Sequence, residues 1–504
     1  MTPAKSKNPT PFRSSPPARP SPPSKPSPTS RSTSLAPSSS RTSAPSTPSP
    51  AGTTLTFYGG AGEIGGNKFL LQTPRSKIYL DFGASFDFGQ DYFYEWLQPR
   101  AANGLECYFE FGILPMVPKL YSRAQLQFTD LPYEPPDIDG VFLSHHHSDH
   151  IGHLSFLDED IPLYMGHGTK AIIDAYSSLF PSLVDIGDHN SINVFKSGDT
   201  IRLKDLTIRP IHVEHSTPGA YGYIIETPSG VIAFTGDFRR HGPLRRLTDE
   251  FISAAASSSP RALLCEGTRM TPDPENHYTE DQVYKKVKGI IARSKGLVLC
   301  EFSMCNIDRF NSLYQATLDA HRTFVIDTKY AFLLDRLRSS STLKLPDPRR
   351  DKTLKVYYKL SKSREFSPSD YRAQDKVFMD NMITFNEIRS RPRDYVMFTG
   401  FNKLMELVYI RPQKADYIYS SSESFLEGEE NADQRRVLDN WLTHFGITLH
   451  KAHCSGHAGK TDLEYAVRKI APEILIPIHT RNPEEFKKIH DNVIIPKRGG
   501  TIRL

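Results

Sequence analysis

The hydrophobic pattern of this chain changes character along its length. Through residues 1–52 apolar positions are sparse, and Pro, Ser, Thr and Ala dominate. Such a segment buries too little apolar surface to offset its ordering entropy, and it is expected to be disordered. From Thr53 onward, short runs either alternate apolar with polar residues or are apolar throughout, separated by Gly- and Pro-containing turns. They predict strands at Thr53–Phe57, Lys77–Leu80, Val141–Leu143, Ile161–Tyr164, Ile201–Leu203, Thr207–Ile211, Gly222–Glu226 and Val231–Phe234, with a helix at Thr169–Leu179. From Arg261 the period switches repeatedly between strand and helix. Strands are predicted at Ala262–Gly267, Gly296–Glu301, Thr323–Ile326, Tyr395–Phe398 and Tyr417–Ser420, and helices at Glu280–Arg293, Ile307–Leu318 and Asp433–Phe445. Strand Ile447–Ala452, a loop, a helix and strand Glu473–Thr480 close the pattern. Hairpins first and helices later suggest an αββα sandwich with loops along one edge, and the strand–helix alternation suggests an additional parallel α/β layer.

Charge sharpens this division. The formal charge of +5 is uneven: residues 1–50 hold seven basic and no acidic residues, leaving the remainder at −2. The folded part is therefore not a generically basic nucleic-acid binder, and any RNA or DNA contact must come from local patches. The acid-free leader has the composition of a transit peptide, but its proline density opposes the amphipathic helix such peptides form, and it lacks the apolar core of a secretory signal. Five cysteines without a C-x-x-C pair argue for a reducing compartment, and no apolar run approaches the ~20 residues that cross a bilayer. A soluble cytoplasmic protein without membrane contact is expected.

Candidate chemistry concentrates where apolar strands end. In VFLSHHHSDHIGHL (Val141–Leu154), a strand runs into a loop carrying His145, His147, Asp149 and His150 in an H-x-H-x-D-H pattern. Nitrogen and oxygen donors at this density suit divalent zinc, and the alternation separates two ligand sets. Asp81, at the end of Lys77–Leu80 and beside Gly83, is placed to orient a metal-binding histidine. His212 and His215 lie in HVEHSTPGAYG, Asp237 follows Val231–Phe234, Glu266 ends ALLCE, His457 lies in HCSGHAGK and His479 ends EILIPIH. Among Asp81, His145, His147, Asp149, His150, His215, Asp237, Glu266, His457 and His479, five imidazoles and two carboxylates would complete a two-metal centre, with Asp237 able to bridge. The Gly-rich GGAGEIGGNKFLLQ (Gly59–Gln72) precedes no helical pattern, so it is a weak candidate for a dinucleotide cradle. Aromatic residues crowd residues 86–135: Phe86, Phe88, Tyr92, Phe93, Tyr94, Trp96, Tyr108, Phe109 and Phe111. A local mini-core or subunit contact is favoured there over stacking on unpaired bases.

Taken together, H-x-H-x-D-H, HSTPGAYGY, FTGDF, the acid in LLCEGT, SGHA and PIHT resemble the metallo-β-lactamase superfamily and, within it, the β-CASP nucleases. GGAGEIGGNKFLL, GDFRRHGP and H-x-S-G-H-A look most like its ribonuclease J branch, over roughly residues 53–504. The resemblance implies a metallo-β-lactamase αββα sandwich at 53–260 and 453–504 with a β-CASP α/β domain inserted at 261–452, behind the 1–52 tail. It implies two zinc ions, with manganese or magnesium as alternatives. His145, His147 and His215 would hold one ion, and Asp149, His150 and His479 the other. Asp237 would bridge them, with Asp81 behind. Asp149, Glu266 and His457 become catalytic candidates, His457 as acid to the leaving 3′ oxygen, while His453, Ser455, Gly456 and His457 would hold a substrate phosphate. The implied activity is hydrolysis of single-stranded RNA, 5′-monophosphorylated in the stepwise 5′-to-3′ mode, by exonuclease or endonuclease action. A DNA nuclease of the superfamily and a catalytically silent RNA-binding subunit are the alternatives. Against the family pattern, His146 stands where a small residue is usual. FTGFNKL and SSSESFLEGEE stand where a G-x-Q-G-E-P signature is expected, and the chain stops where a C-terminal domain supporting homo-oligomers would follow.

Overall fold

In a computed structural model the strand patterns are sorted into three sheets. It describes residues 52–504 apart from 88, 90–91, 94–96, 182–183, 273–277, 341–342 and 423–430. The expected disordered tail therefore lies, all but Gly52, outside the described residues, as do Phe88, Tyr94 and Trp96 of the aromatic segment.

The first sheet runs in the order Thr501–Arg503, Thr54–Gly59, Lys68–Gln72, Lys77–Leu80, Gly140–Phe142, Leu163–Gly166, Ile192–Phe195. The second runs Ile474–Ile478, Ala262–Glu266, Gly230–Phe234, Ala220–Thr227, Leu206–Val213, Ile201–Leu203. Their facing sides share one core. Leu55, Phe57, Phe69, Leu71, Ile78 and Phe142 of the first sheet meet Ile208, Tyr223, Ile225, Phe234, Leu264 and Ile476 of the second. Burying each large side chain of this kind stabilises the fold by about 1.5–3 kcal/mol. Leu206–Val213 shows the cause in its sequence, burying nearly every second residue, as a strand with one wet face must. Helices Arg245–Ser257 and Lys460–Ile470 cover the outer face of the second sheet through Phe251, Ile252, Leu463 and Val467. The outer face of the first is covered by Leu105, Leu114, Tyr121 and Leu154 together with Ile173. This is an αββα sandwich.

The third sheet is parallel throughout, in the order Met382–Ile383, Leu354–Tyr357, Thr323–Asp327, Tyr395–Phe398, Val298–Glu301, Asp416–Tyr419, Thr448–Lys451. Its strands read as continuous apolar runs because both faces are covered. Helix Glu280–Arg293 packs one face through Val283, Val287, Ile290 and Ile291, and starts at a Thr279/Gln282 capping box. Helix Ala432–Phe445 packs the other face through Leu438 and Leu442. Ala262–Glu266, the strand that opens the strand–helix alternation, does not join this layer. It pairs in parallel with Gly230–Phe234 and Ile474–Ile478 in the second sheet. That placement brings Glu266 and His479 to one sheet edge from positions more than two hundred residues apart.

The aromatic segment is largely a packing element. Tyr108 packs against Phe156 with ring centroids 4.9 Å apart, and Phe109 meets Tyr121 edge to face at 5.4 Å, within the core outside the first sheet. No helix among the described residues is long and apolar enough to cross a membrane.

Candidate metal centre

The candidate ligands converge where strands of the first two sheets end. Gly140–Phe142 delivers His145, His147, Asp149 and His150, the last two on the short helix Ser148–Ile151. Leu206–Val213 delivers His215, Gly230–Phe234 delivers Asp237, and Ile474–Ile478 delivers His479. Two of the strand-end residues, Asp81 and His479, adopt left-handed backbone with φ of 57° and 51°. That conformation is uncommon outside glycine and persists where the surroundings hold it. The Asp81 amide donates to Phe142 O (3.0 Å) and the His479 amide to Gly60 O (2.8 Å). Gly83 is required by close approach, since a Cβ there would lie 1.8 Å from Asp149 O. The fully buried Lys68 ammonium donates to the Gly83 carbonyl, fixing the loop beneath Asp149.

Two donor groups face each other. In one, His147 Nδ1 lies 2.9 Å from His145 Nε2 and 3.3 Å from His215 Nε2. In the other, Asp149 Oδ2 lies 2.9 Å from His479 Nε2 and 3.5 Å from His150 Nε2. Asp237 Oδ2 sits between them, 3.1 Å from His150 Nε2, 3.9 Å from His479 Nε2 and 3.7 Å from His145 Nε2. Thus all seven expected ligands come together, with Asp237 between the two groups and the His145 and His150 rings meeting at 4.0 Å.

Four of the five ligand imidazoles, those of His145, His150, His215 and His479, turn an anchored nitrogen away from the centre. His150 Nδ1 lies 2.7 Å from Asp81 Oδ2, and Asp81 also accepts from the Ser144 amide (2.7 Å) and hydroxyl (2.8 Å). His145 Nδ1 lies 3.1 Å from Ser144 Oγ, His215 Nδ1 2.7 Å from Gly456 O, and His479 Nδ1 2.7 Å from Thr268 Oγ1. Partners of this kind hold the proton on Nδ1 and leave Nε2 bare for a cation. The donor set fits divalent metal: imidazole nitrogens and two carboxylates crowd at contact distance, and the carboxylates of Asp237, Asp149 and Asp81 outweigh burial and hold His150 well above the ordinary histidine range. Burial, reinforced by neighbouring imidazoles, holds His145 well below the ordinary histidine range, and burial pushes His147 down to about 4. Asp149 stays well below the carboxylate range because His150 and His479 outweigh its burial.

Glu266 and His457 adjoin the centre. The buried Glu266 carboxylate accepts from the Phe238 amide (3.2 Å) and the Thr268 amide (3.0 Å), and its Oε1 lies 3.2 Å from His457 Nδ1. Burial alone would lower His457, but Glu266 and Asp237 raise it to about 9. The loop before it is gripped by its backbone. Ser455 O accepts from His241 Nε2 (2.8 Å) and Arg239 Nη1 (3.4 Å), while the His457 amide donates to Ser455 Oγ (3.1 Å). His453 stands apart from the ligand cluster, bound to Ser420 and Arg309.

The remaining histidines turn elsewhere. His146 points to Cys305 Sγ (3.0 Å) and Thr217 Oγ1 (3.2 Å), His153 stacks on Phe156, and His212 stacks on Tyr221. Cys265 and Cys454 are buried thiols whose pKa burial raises, the behaviour of core residues rather than nucleophiles. Ser144, Thr268, Lys68 and the Gly456 carbonyl were not among the residues expected from sequence. Ser144 and Thr268 had one available signal, a hydroxyl one or two positions from a predicted ligand or strand-end acid.

Comparison with known proteins agrees with this fold. The Beta-lactamase superfamily domain matches residues 116–297. Ribonuclease J of Sinorhizobium meliloti is 25% identical over 356 residues, covering 68% of this chain and 58% of that protein. Ribonuclease J of Helicobacter pylori is 24% identical over 444 residues, covering 86% and 56% respectively. Ribonuclease J of Mycoplasma pneumoniae is 23% identical over 448 residues, covering 85% and 68%. The chain thus spans less than two thirds of the length of the first two relatives. A crystal structure of a protein of unknown function from Enterococcus faecalis shares the fold, with a TM-score of 0.70 and 24% identity over 90% of this chain and all of that one. The fold is that of a metallo-β-lactamase αββα sandwich with an added parallel α/β layer, and residues 116–297 resemble a superfamily that uses divalent metal. Within it the chain is similar to ribonuclease J of the β-CASP nucleases.

Proposed function

We propose that this protein is a metal-dependent ribonuclease of the ribonuclease J type, holding two zinc ions and hydrolysing phosphodiester bonds of single-stranded RNA. The observation that carries the proposal is the pairing of two facing donor groups, joined by Asp237, with an acid–base pair, Glu266 and His457, at their rim. Residues 53–260 and 453–504 would form the metallo-β-lactamase domain and 261–452 the β-CASP domain, with Ala262–Glu266 lent to the sandwich. Five free thiols and the lack of a candidate membrane span among the described residues are consistent with action in the cytoplasm.

Divalent ions held by the seven ligands would supply Lewis acidity to a phosphodiester group. The chain's own residues do the rest. Asp149 and Asp237 hold negative charge at the centre. Thr268 and Ser144 fix the tautomers of His479 and His145. Glu266, held by two backbone amides, keeps His457 protonated at neutral pH, so its imidazolium can give a proton to the leaving 3′ oxygen. His453, Ser455 and Gly456 would receive a substrate phosphate next to this acid, which supports 5′-end-dependent, stepwise cleavage alongside endonuclease action. The intact ligand set speaks against a silent binding subunit.

The test is purified protein with zinc or manganese, given 5′-monophosphorylated RNA, 5′-hydroxyl RNA and matching DNA. Release of mononucleotides from the monophosphorylated RNA is the expected result. Cleavage of DNA in preference to RNA, or RNA binding without cleavage under either metal, would overturn the proposal.

A further inference from the structure

One side chain of the aromatic segment stands at the rim of the metal centre. Tyr108 and Phe109 pack against the core outside the first sheet, and Tyr92 and Phe93 close on Phe111, with ring centroids 4.6 and 5.3 Å away. Phe86 keeps 52% of its surface exposed instead. Single exposed apolar residues are ordinary on protein surfaces, so exposure alone assigns Phe86 nothing. Its location and its anchoring do.

The location is set by Gly65, whose φ of +81° and lack of a side chain open a gap beside Asp149. A Cβ at Gly65 would lie 2.9 Å from Asp149 Cβ and 3.1 Å from Phe86 Cδ2, so the ring edge and the ligand side chain flank the space of a single carbon. The backbone there is fixed. Gly65 and Ser85 form an antiparallel bridge, the Ala84 amide donates to Ser148 O (2.9 Å), and the Gly66 amide donates to Ala84 O (2.9 Å). Side chains clamp Phe86 from both directions. Ser85 Oγ donates to Glu63 Oε2, and Glu63 Oε1 accepts from Arg498 Nη1 (2.9 Å). The Asp87 amide donates to Ser85 Oγ (3.2 Å). The Asp87 carboxylate accepts from Nε (2.9 Å) and Nη2 of Arg481, which follows His479 closely in the chain. The backbone that carries Phe86 is thereby tied to the loops of Asp149 and His479, two members of one donor group. A ring presented on such a backbone has few rotamers to give up when a flat ligand arrives.

The 453–457 loop, assigned above to a substrate phosphate, meets the other donor group: a Cβ at Gly456 would lie 3.0 Å from His215 Cε1. A strand crossing the centre from that loop passes over the Asp149 side, where Phe86 stands. The chain beyond residue 50 is close to neutral, so general attraction for phosphates is small. Stacking adds a contact that needs no charge and no particular base, because every base offers a π-face.

We propose that Phe86 is a stacking platform for a nucleobase of the single-stranded substrate next to the scissile phosphate, on the Asp149 side of the centre. The proposal rests on the ribonuclease reading above and adds to it a grip on the strand that is independent of sequence.

Steady-state cleavage by zinc-loaded full-length protein tests it, with wild type, Phe86→Ala, Phe86→Leu and Phe86→Trp. The substrates are 5′-monophosphorylated RNA, intact or with one abasic nucleotide at successive positions around the cleaved bond. Phe86→Ala and Phe86→Leu should each raise KM about tenfold, as for one lost base–aromatic stack, with zinc content and kcat near wild type. Phe86→Trp should keep the wild-type KM. One abasic position should cost wild type a similar factor and cost Phe86→Ala nothing further, because both changes remove the same contact. A wild-type KM in Phe86→Ala or in Phe86→Leu, or abasic losses as large in Phe86→Ala as in wild type, would overturn the proposal. Wild type that binds RNA without cleaving it would overturn the ribonuclease reading, and fluorescence anisotropy with the same variants and RNAs would then decide the stacking. Wild type that neither cleaves nor binds single-stranded RNA would overturn both.

Discussion

Replacing Thr268 by valine removes one hydroxyl and almost nothing else. Thr268 Oγ1 donates to the His479 carbonyl at 3.4 Å and lies 2.7 Å from His479 Nδ1. With its own hydrogen directed at the carbonyl, the oxygen is an acceptor for Nδ1–H, which leaves Nε2 bare on the side facing Asp149, 2.9 Å away. Valine is nearly isosteric, so no cavity forms, and the backbone amide of residue 268 still donates to Glu266 Oε2, which it reaches at 3.0 Å. The Glu266–His457 pair should therefore survive the change. A neutral hydrogen bond contributes about 1 kcal/mol net. As the orienting partner of a metal-ligating histidine its loss is expected to weaken metal binding about 10–100-fold, roughly 1.4–2.7 kcal/mol. The loss should fall on one ion only, because His145 and His215 are anchored by Ser144 and Gly456, and among the described residues no contact of His145, His147 or His215 reaches Thr268. Competition titration with a chromogenic chelator resolves the two affinities. One weakened and one unchanged zinc are expected; two zinc ions at wild-type affinity would refute the role given to Thr268.

Other perturbations separate the remaining roles. Glu266→Gln and His457→Gln should each lower cleavage about 10²–10⁴-fold, the range for removal of an acid–base catalyst, with zinc content by mass spectrometry unchanged. His146→Ala should also leave zinc content unchanged, since that ring faces Cys305 and Thr217; loss of an ion would show that it is a ligand. Glu280, lowered to about 2 because Arg309 outweighs its burial, has a folded pKa below its unfolded value of 4.5. Its stabilisation is therefore complete above pH 4.5 and lost as pH falls toward 2, about 3 kcal/mol at 1.36 kcal/mol per unit. Urea unfolding of Glu280→Gln against wild type should show a difference at pH 6 that shrinks by pH 3.

The ligands were legible because each sits at the end of an apolar strand and because H-x-H-x-D-H is rare by chance. The resemblance to the metallo-β-lactamase pattern placed His145, His147, Asp149, His150, His215, Asp237 and His479 in the set that the fold brings together. Apart from Asp81 beside His150, what orients them was hidden for physical reasons. The acceptor for His215 is a backbone carbonyl, Gly456 O, which no side chain announces, and the acceptors for His145 and His479 are hydroxyls of common residue types. Arg309 and Glu280 read as the polar faces of amphipathic helices until the packing of the third layer buries both. Helix Arg245–Ser257 was missed because its apolar face is short, with only Phe251, Ile252 and Ala255 beside Thr248, while its first two turns are rich in charge. The membership of Ala262–Glu266 in the second sheet depends on pairing with Ile474–Ile478, a contact across the whole third layer that no local pattern encodes. The aromatic segment was read correctly in kind for Tyr108 and Phe109, which pack, while Phe86 and Tyr92 stay exposed.

Stoichiometric reconstitution tests the two-metal ribonuclease most directly. Metal-stripped protein is titrated with zinc while hydrolysis of 5′-monophosphorylated RNA is followed, with Asp149→Ala in parallel. Wild-type activity should be absent without metal and should rise only as the second equivalent fills, and Asp149→Ala should stay inactive throughout. Full activity at one equivalent, or wild-type cleavage by Asp149→Ala, would contradict it.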